Sequence, residues 1–221
     1  MIPKPAPLAA VLLVAAVGGA AASVIPVANP SFETLPAGGL PFTCGAGCSY
    51  SVNDPVPGWT GFGSFGQFQP GPAFGNFTYF NTVPNGVTVA YSNGGGLTQT
   101  VGVLAQAGVT YTLQVDVGYR KDATDPSLPE LVVGSNTITN VIPNPPQFSG
   151  DWITDTITYT ATALDAGAPI SIVLGANAVQ GDWDNVRLSD NLAAVPEPVG
   201  FLLFGTGIVT LGLLRRRPRS L

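Results

Sequence analysis

The sequence predicts an all-β protein, folded as a jelly-roll β-sandwich between residues 23 and 194. Short segments in this part alternate apolar and polar residues, no window keeps a helical period of 3.6, and 28 Gly and 21 Pro supply turns. The clearest strand covers residues 109–117, where every second residue is apolar from Val109 to Val117. This period of two is typical of a sheet with one buried face.

The predicted elements follow in order after residue 27. A Gly- and Pro-rich loop runs up to Cys48, and an aromatic-rich stretch follows at 57–80. Its interleaved Gly and Pro exclude a helix and predict irregular or edge-like structure. Alternation or short apolar runs then predict strands around residues 87–91, 97–103, 109–117, 131–133, 138–142, 153–160, 170–174 and 186–188.

The N-terminal residues 1–22 have the organisation of a secretory signal peptide. Lys4 provides a basic start, residues 8–17 are an apolar core, and three alanines at 20–22 precede Ser23. The sequence therefore predicts export of the domain at 23–194.

An uncharged apolar run at 199–214 is followed by Arg215, Arg216 and Arg217. Sixteen residues are slightly short of the roughly 17–25 that span a bilayer. Positive residues that flank such a run stay on the cytoplasmic side, so the pattern predicts a transmembrane helix with the domain outside. A soluble core helix is the alternative.

The end of the chain, residues 195–221, resembles the PEP-CTERM sorting signal of Gram-negative bacteria. Pro196, Glu197 and Pro198 precede the apolar run, and the arginine cluster lies near the last residue. The resemblance implies a transient stay in the inner membrane, recognition by an exosortase, and delivery to the cell surface or the extracellular matrix. The three motif residues would be the substrate of that enzyme.

Charge limits the partners of the exported part. Residues 23–194 contain twelve acidic residues but only Arg120, Lys121 and Arg187 as basic ones. A surface of this kind repels phosphate backbones, so nucleic acid is not expected as a partner. Neutral glycans and divalent cations are more compatible with it.

The only two cysteines, Cys44 and Cys48, are separated by three small residues. In an exported chain such a pair predicts a disulfide. A zinc site is the alternative, but the sequence has no histidine to complete it.

Several short motifs in order resemble the galactose-binding-like jelly roll of many carbohydrate-binding modules. They are NPSFE at 29–33, PGW at 57–59, QTV at 99–101, AGVTYTL at 107–113 and DNVRL at 184–188. The resemblance implies that the first and last strands meet at one edge and that Glu33 and Asp184 hold a structural calcium there. Both acids could instead be solvated or cap turns.

Sugar-binding faces stack sugar rings on exposed aromatic side chains and bind hydroxyl groups with polar ones. The predicted carbohydrate-binding residues are Trp59, Tyr91, Tyr119, Arg120, Trp152 and Trp183. The alternative for each tryptophan is packing in the core or at its rim.

Catalysis has little support in the sequence. A nucleophilic serine would lack a histidine base, and the disulfide would remove both thiols. Pairs of carboxylates such as Asp182 with Asp184 would suffice for glycoside hydrolysis. The sequence therefore predicts a non-catalytic surface or matrix protein that associates with extracellular polysaccharide. A structural or adhesive protein without a glycan site and a glycosidase-like enzyme are the alternatives.

Overall fold

The computed structural model describes residues 22–71, 78–123, 129–176 and 180–192, and its regular elements there are β-strands and one short 3₁₀ helix (Ala163–Asp165). The strands are β1 (Ser23–Ile25), β2 (Phe42–Gly45), β3 (Cys48–Tyr50), β4 (Thr60–Phe62), β5 (Phe65–Gln69), β6 (Val89–Ser92), β7 (Gly95–Leu104), β8 (Thr110–Gly118), β9 (Pro129–Val133), β10 (Asn136–Ile138), β11 (Trp152–Thr160), β12 (Pro169–Ala176) and β13 (Gly181–Asp190).

The strands form two antiparallel sheets. The larger sheet has the order β11-β8-β13-β6-β5-β3-β2, with β1 paired to β13, and the smaller sheet has the order β10-β9-β12-β7-β4. From β6 onwards the chain alternates between the two sheets. The consecutive strands β9 and β10 form a hairpin within the smaller sheet. The predicted all-β class and β-sandwich are confirmed, and the alternation makes the sandwich jelly-roll-like.

The main core lies between the two sheets. On β8, Leu113, Val115 and Val117 have no exposed surface, and on β12 the same is true of Ile172 and Leu174. On β8 the residues between them, Gln114 and Asp116, are polar, and on β12 the residue between them, Val173, is only half-buried. The period of two in the sequence therefore has its physical cause in this core, because burying these side chains provides the main driving force for folding.

The stretch at 57–80 differs from its prediction, because β5 lies inside the larger sheet between β3 and β6. Gly66 makes this position possible. A Cβ atom there would collide with the Ser51 carbonyl oxygen, so the two strands could not approach with a larger residue. The prediction of a strand through 138–142 is also wrong beyond Ile138, where β10 ends.

A bulge in β13 decides which of its side chains face the core. Asp184 lies opposite Asp116, and the next paired residue, Arg187, lies opposite Gln114. Asn185, with a positive φ of 52°, lies at this irregularity. One extra residue in a strand reverses the faces of all residues beyond it. Trp183 and Val186 consequently both belong to the core.

Asp182 therefore lies on the outer face of the larger sheet. It is opposite Tyr91, whereas Trp183 is opposite Ala90, and Trp183 and Ala90 both belong to the main core. A second, smaller apolar cluster forms on the outer face from Cys48, Phe68, Phe80, Val89 and Tyr91.

The predicted signal peptide at 1–22, except for its last residue, and the sorting motif with the apolar run at 199–214 lie outside the described residues, and they stay predictions. Within the part of the chain that is described, no helix is long and apolar enough to cross a membrane.

Candidate functional site

A pocket of about 390 Å³ opens on the outer face of the larger sheet. Its volume lies within the roughly 300–1,000 Å³ of small-molecule sites. It is lined by Thr43, Cys44, Tyr50, Phe68, Tyr79, Tyr91, Asn93, Arg120 and Gln180. Four of these nine residues are aromatic, and Arg120 with Gln180 provides a polar part.

The aromatic wall is assembled from three neighbouring strands and one loop. β3 supplies Tyr50, β5 supplies Phe68, β6 supplies Tyr91, and the loop before Phe80 supplies Tyr79. Phe68 and Tyr91 meet edge to face with ring centres 5.7 Å apart. The hydroxyl of Tyr91 donates to the Ser51 carbonyl oxygen at 2.7 Å, and burial raises the pKa of Tyr91 to about 12. These contacts fix the ring of Tyr91 in the pocket wall.

The β2–β3 hairpin forms another part of the wall. Cys44 and Cys48 are joined by a disulfide, with Cα atoms 5.1 Å apart, and Thr43, Cys44 and Tyr50 line the pocket. β2 is the last strand of its sheet, so the disulfide constrains a hairpin that is paired on one side only.

Arg120 is held in one orientation at the pocket. Its Nε and Nη2 atoms donate to the two carboxylate oxygens of Asp122 at 2.8 and 2.7 Å. Its guanidinium carbon lies 4.0 Å from the centre of the Tyr79 ring. Nη1 donates to the Oε1 oxygen of Gln180 at 2.6 Å. A bidentate pair and a stacking contact of this kind restrict the guanidinium strongly.

Asp182 is a buried acid that is hydrogen-bonded to the pocket residue Gln180. It has no exposed surface, and its Oδ1 oxygen accepts a hydrogen bond from Nε2 of Gln180 at 2.9 Å. Its Oδ2 oxygen is buried and has no partner among the described residues. Burial raises the pKa of Asp182 to about 7, although the charge of Arg120 and the hydrogen bond from Gln180 oppose that shift. A carboxyl group with such a pKa can give a proton at neutral pH.

Glu33 and Asp184 meet at the segment that leads into β6. Oε1 of Glu33 accepts from the backbone N–H groups of Val87 and Thr88 at 2.9 and 2.7 Å. Oδ2 of Asp184 accepts from the backbone N–H of Asn85 at 2.8 Å. Burial raises the pKa of Asp184 to about 7, and Glu33 is among the smaller causes.

These two carboxylates only partly match the predicted calcium site. Calcium takes about six to eight oxygen ligands, and among the residues described here no group of three or more Asp, Glu, His or Cys could hold a metal. The bonds of Glu33 and Asp184 go to backbone N–H groups, so their observed role is to fix the segment before β6. Calcium stays a prediction.

Replacing Glu33 with alanine is expected to lower the free energy of unfolding by about 1–3 kcal/mol, because two backbone N–H groups lose a charged acceptor. Thermal unfolding in calcium and in chelator measures this loss and tests calcium in the same experiment. A calcium-dependent rise in the wild-type melting temperature that is lost in Glu33→Ala supports a calcium site at Glu33. Equal melting temperatures of wild type and variant would contradict the anchoring role.

The predicted carbohydrate-binding residues are not gathered in one place. Trp59, Tyr119 and Trp183 belong to the main core with 7%, 2% and 0% of their surface exposed, so the structure corrects their assignment as sugar-stacking residues. Trp152 is half-buried and packs on Phe80 with ring centres 4.6 Å apart.

Trp152 lines a different, more polar cleft together with Asp116 and Asp151. Only Tyr91 and Arg120 of the six candidates therefore lie in the aromatic pocket. The sequence interpretation missed the rest of its lining, including Tyr50, Tyr79 and Gln180.

A β-sandwich with an aromatic pocket and a buried protonatable acid has the features of a small-molecule enzyme. Residues 23–189 match the family described as HpiC1-like (HpiC1 cyclase). The match covers more than half of the chain, and the chain belongs to the HpiC1-like family.

Solved structures of cyclases agree with the family. A Stig cyclase Fisc from Fischerella sp. TAU, in complex with (3Z)-3-(1-methyl-2-pyrrolidinylidene)-3H-indole, is 26% identical with a TM-score of 0.63 over 79% of this chain and 100% of that one. A cyclase from Fischerella sp. TAU in complex with 4-(1H-indol-3-yl)butan-2-one is also 26% identical, with a TM-score of 0.61 over 78% of this chain and 99% of that one. No curated protein matches the chain.

These findings correct the function predicted from the sequence. The family is named for a cyclase and the similar solved structures are cyclases, so the prediction of a non-catalytic surface or matrix protein is wrong. The predicted partners, an exosortase and an extracellular polysaccharide, are corrected as well, because two of the similar structures hold small indole compounds. The sequence interpretation failed because it sought catalysis in nucleophiles and carboxylate pairs. It did not consider a single buried acid.

Proposed function

We propose that this protein is a cyclase that closes a ring on a small indole-bearing molecule, with Asp182 as the general acid. The observation that carries the proposal is the position of Asp182, a buried carboxyl group directly beside an aromatic pocket. Membership of the HpiC1-like family supports ring closure as the reaction.

An indole-bearing substrate fits the lining of the pocket. Two relatives hold indole compounds. In this chain Tyr50, Phe68 and Tyr91 offer ring faces and edges for a flat aromatic guest, and such contacts favour offset or edge-to-face packing. Asn93, Arg120 and Gln180 provide hydrogen-bonding groups for a polar substituent.

The proposed reaction needs only a proton that is given and returned. Neutral Asp182 donates its proton to one carbon of a substrate double bond, and the other carbon becomes cationic. The π electrons of the indole ring then form the new carbon–carbon bond to that cation. Loss of a ring proton to the Asp182 carboxylate restores the aromatic ring, so the product is an isomer of the substrate. Electron-rich rings such as Tyr79 and Tyr91 stabilise the cation.

Ring closure is expected when the purified full-length protein is incubated with indoles whose C3 side chain carries a protonatable double bond. The measurement is the appearance of an isomer of equal mass with a new ring, identified by NMR. The rate should fall as pH rises through about 7, because Asp182 with its raised pKa then loses the proton that it must donate.

Binding gives a second measurement that does not depend on guessing the reactive side chain. Calorimetry with 4-(1H-indol-3-yl)butan-2-one should detect a complex, which Tyr91→Ala weakens by removing part of the pocket wall. Absence of both ring closure and indole binding would reject the proposed function.

A further inference from the structure

Asp122, Arg120, Gln180 and Asp182 form a continuous chain of hydrogen bonds at the pocket. Asp122 accepts two bonds from Arg120, Arg120 donates to Oε1 of Gln180 at 2.6 Å, and Nε2 of Gln180 donates to Oδ1 of Asp182 at 2.9 Å. The chain therefore connects a cation in the pocket wall to the buried acid through one amide side chain.

Arg120 determines which atoms donate and which accept in this series of hydrogen bonds. A guanidinium group has N–H donors and no acceptor, so only the oxygen of the Gln180 amide can face it. The amide nitrogen must then face Asp182, because the two ends of the amide lie on opposite sides. The orientation of a glutamine amide is usually inferred from its surroundings, and in this case the surroundings permit one orientation.

This orientation determines which oxygen of Asp182 can carry a proton. Oδ1 accepts from the N–H of Gln180, and the carbonyl oxygen of a neutral carboxyl group is a better acceptor than its hydroxyl oxygen. The proton of the neutral acid consequently belongs on Oδ2. That oxygen is buried and has no partner among the described residues, so no neighbouring group of the described residues holds its proton.

We propose that Arg120 and Gln180 are positioning residues that keep the transferable proton on Oδ2 of Asp182. The proposal rests on the proposed cyclase function and adds to it the residues that orient the acid. Asp122 and Tyr79 assist by holding the Arg120 guanidinium. An unpaired buried polar group is costly, and a catalytic role is one of the reasons why a protein keeps one.

Three variants test whether Arg120 and Gln180 orient the proton of Asp182 or only provide hydrogen-bond partners. Arg120→Lys keeps a cation that can only donate, and it should retain most of the activity. Arg120→Met removes that donor, and Gln180→Glu keeps a partner for Arg120 but has no N–H for Asp182. Both are expected to lower kcat by about 10–100-fold, because the lost hydrogen bond leaves a buried polar group unpaired, with a smaller effect on KM. Arg187→Met is the control, since Arg187 pairs with Asp116 and does not line the pocket.

Infrared spectroscopy of the substrate-free protein measures the protonation of Asp182 independently of catalysis. The absorption of the protonated Asp182 carboxyl group is identified by its loss in Asp182→Asn and is followed against pH. The charged or titratable groups that face Asp182 are Arg120, Asp122 and Tyr91. Arg120→Met should move the disappearance of the band to higher pH, because a cation that favours the carboxylate is gone, whereas Arg120→Lys and Arg187→Met should not.

The two measurements distinguish the possible failures. If Arg120→Met and Gln180→Glu leave both kcat and the infrared band unchanged, the positioning role is wrong. A loss of thermal stability and a raised KM with an unmoved band would also overturn it, because that is a structural effect only. If the band shifts as expected but the wild-type protein closes no ring, the positioning role stands and the proposed function fails.

Discussion

Replacing Asp182 with asparagine is expected to lower kcat for ring closure by about 10²–10⁴-fold, the usual contribution of a general acid. Asparagine has nearly the size of the neutral carboxyl group, and its oxygen can still accept the hydrogen bond from Gln180. The pocket and its affinity for indole ligands should therefore persist. The loss should appear in kcat, because only the proton transfer is removed.

Two other buried acids provide matched controls for Asp182. Asp155 is also buried with an unpartnered Oδ2 oxygen, but its partner is Asn140, which is not a pocket residue, whereas Asp182 pairs with the pocket residue Gln180. Asp184 shares the raised pKa near 7 and anchors Asn85 instead. Asp155→Asn and Asp184→Asn should keep most of the rate at a temperature where both remain folded. An unchanged rate in Asp182→Asn, measured beside these controls, would remove Asp182 from the mechanism.

The fold class could be predicted because its signal is local. Along β8, each apolar residue is followed by a polar or small one, and the buried positions of the structure coincide with the apolar ones as far as Val115. The position of β5 could not be predicted in the same way. Gly66 argues against a strand by its conformational freedom, yet the close approach of Ser51 requires a glycine there.

The bulge at Asn185 makes the faces of Asp182 and Trp183 hard to predict from the sequence. Val186 and Leu188 are core residues, and a regular alternation backwards from them puts Asp184 and Asp182 in the core and Trp183 outside. The sequence interpretation offered Trp183 as a sugar-binding residue because it is aromatic, and the structure places it in the core. The extra residue in β13 reverses this order. An asparagine, one of the residues that tolerates positive φ, between two segments of opposite alternation is the only sequence signal of this reversal.

The pocket lining was not predictable for a different reason. Tyr50, Phe68, Tyr91, Arg120 and Gln180 come from separate segments, and β13 pairs with β6 from about 90 positions earlier in the chain. The register of that pairing is what places Asp182 opposite Tyr91. Tyr91 and Arg120 were selected for their chemistry, as an aromatic ring and a donor for a ligand. That chemistry serves an indole pocket as well as a sugar-binding face, so the residue types alone could not separate the two functions.

Asp182 and Trp183 lie on opposite faces of β13, so substitution of Asp182 should affect the reaction rate and substitution of Trp183 should affect stability. Trp183 has no exposed surface and lies in the main core, and a Cβ atom on Gly181 would come within 2.5 Å of its ring. Truncation of a buried tryptophan removes a large apolar surface and leaves a cavity that the close-packed sheets cannot fill.

Trp183→Ala is therefore expected to lower the free energy of unfolding by about 3–5 kcal/mol, measured by urea denaturation of the purified protein. Trp152→Ala is the matched control, because that half-buried ring packs mainly on Phe80 and its loss should cost clearly less. If Trp183→Ala does not fold at all, Trp183→Phe should show a smaller loss in the same direction. Unchanged stability in Trp183→Ala would mean that its ring is not in the core. The face of β13 assigned to Asp182 would then be wrong as well, since neighbouring residues of a strand cannot share one face.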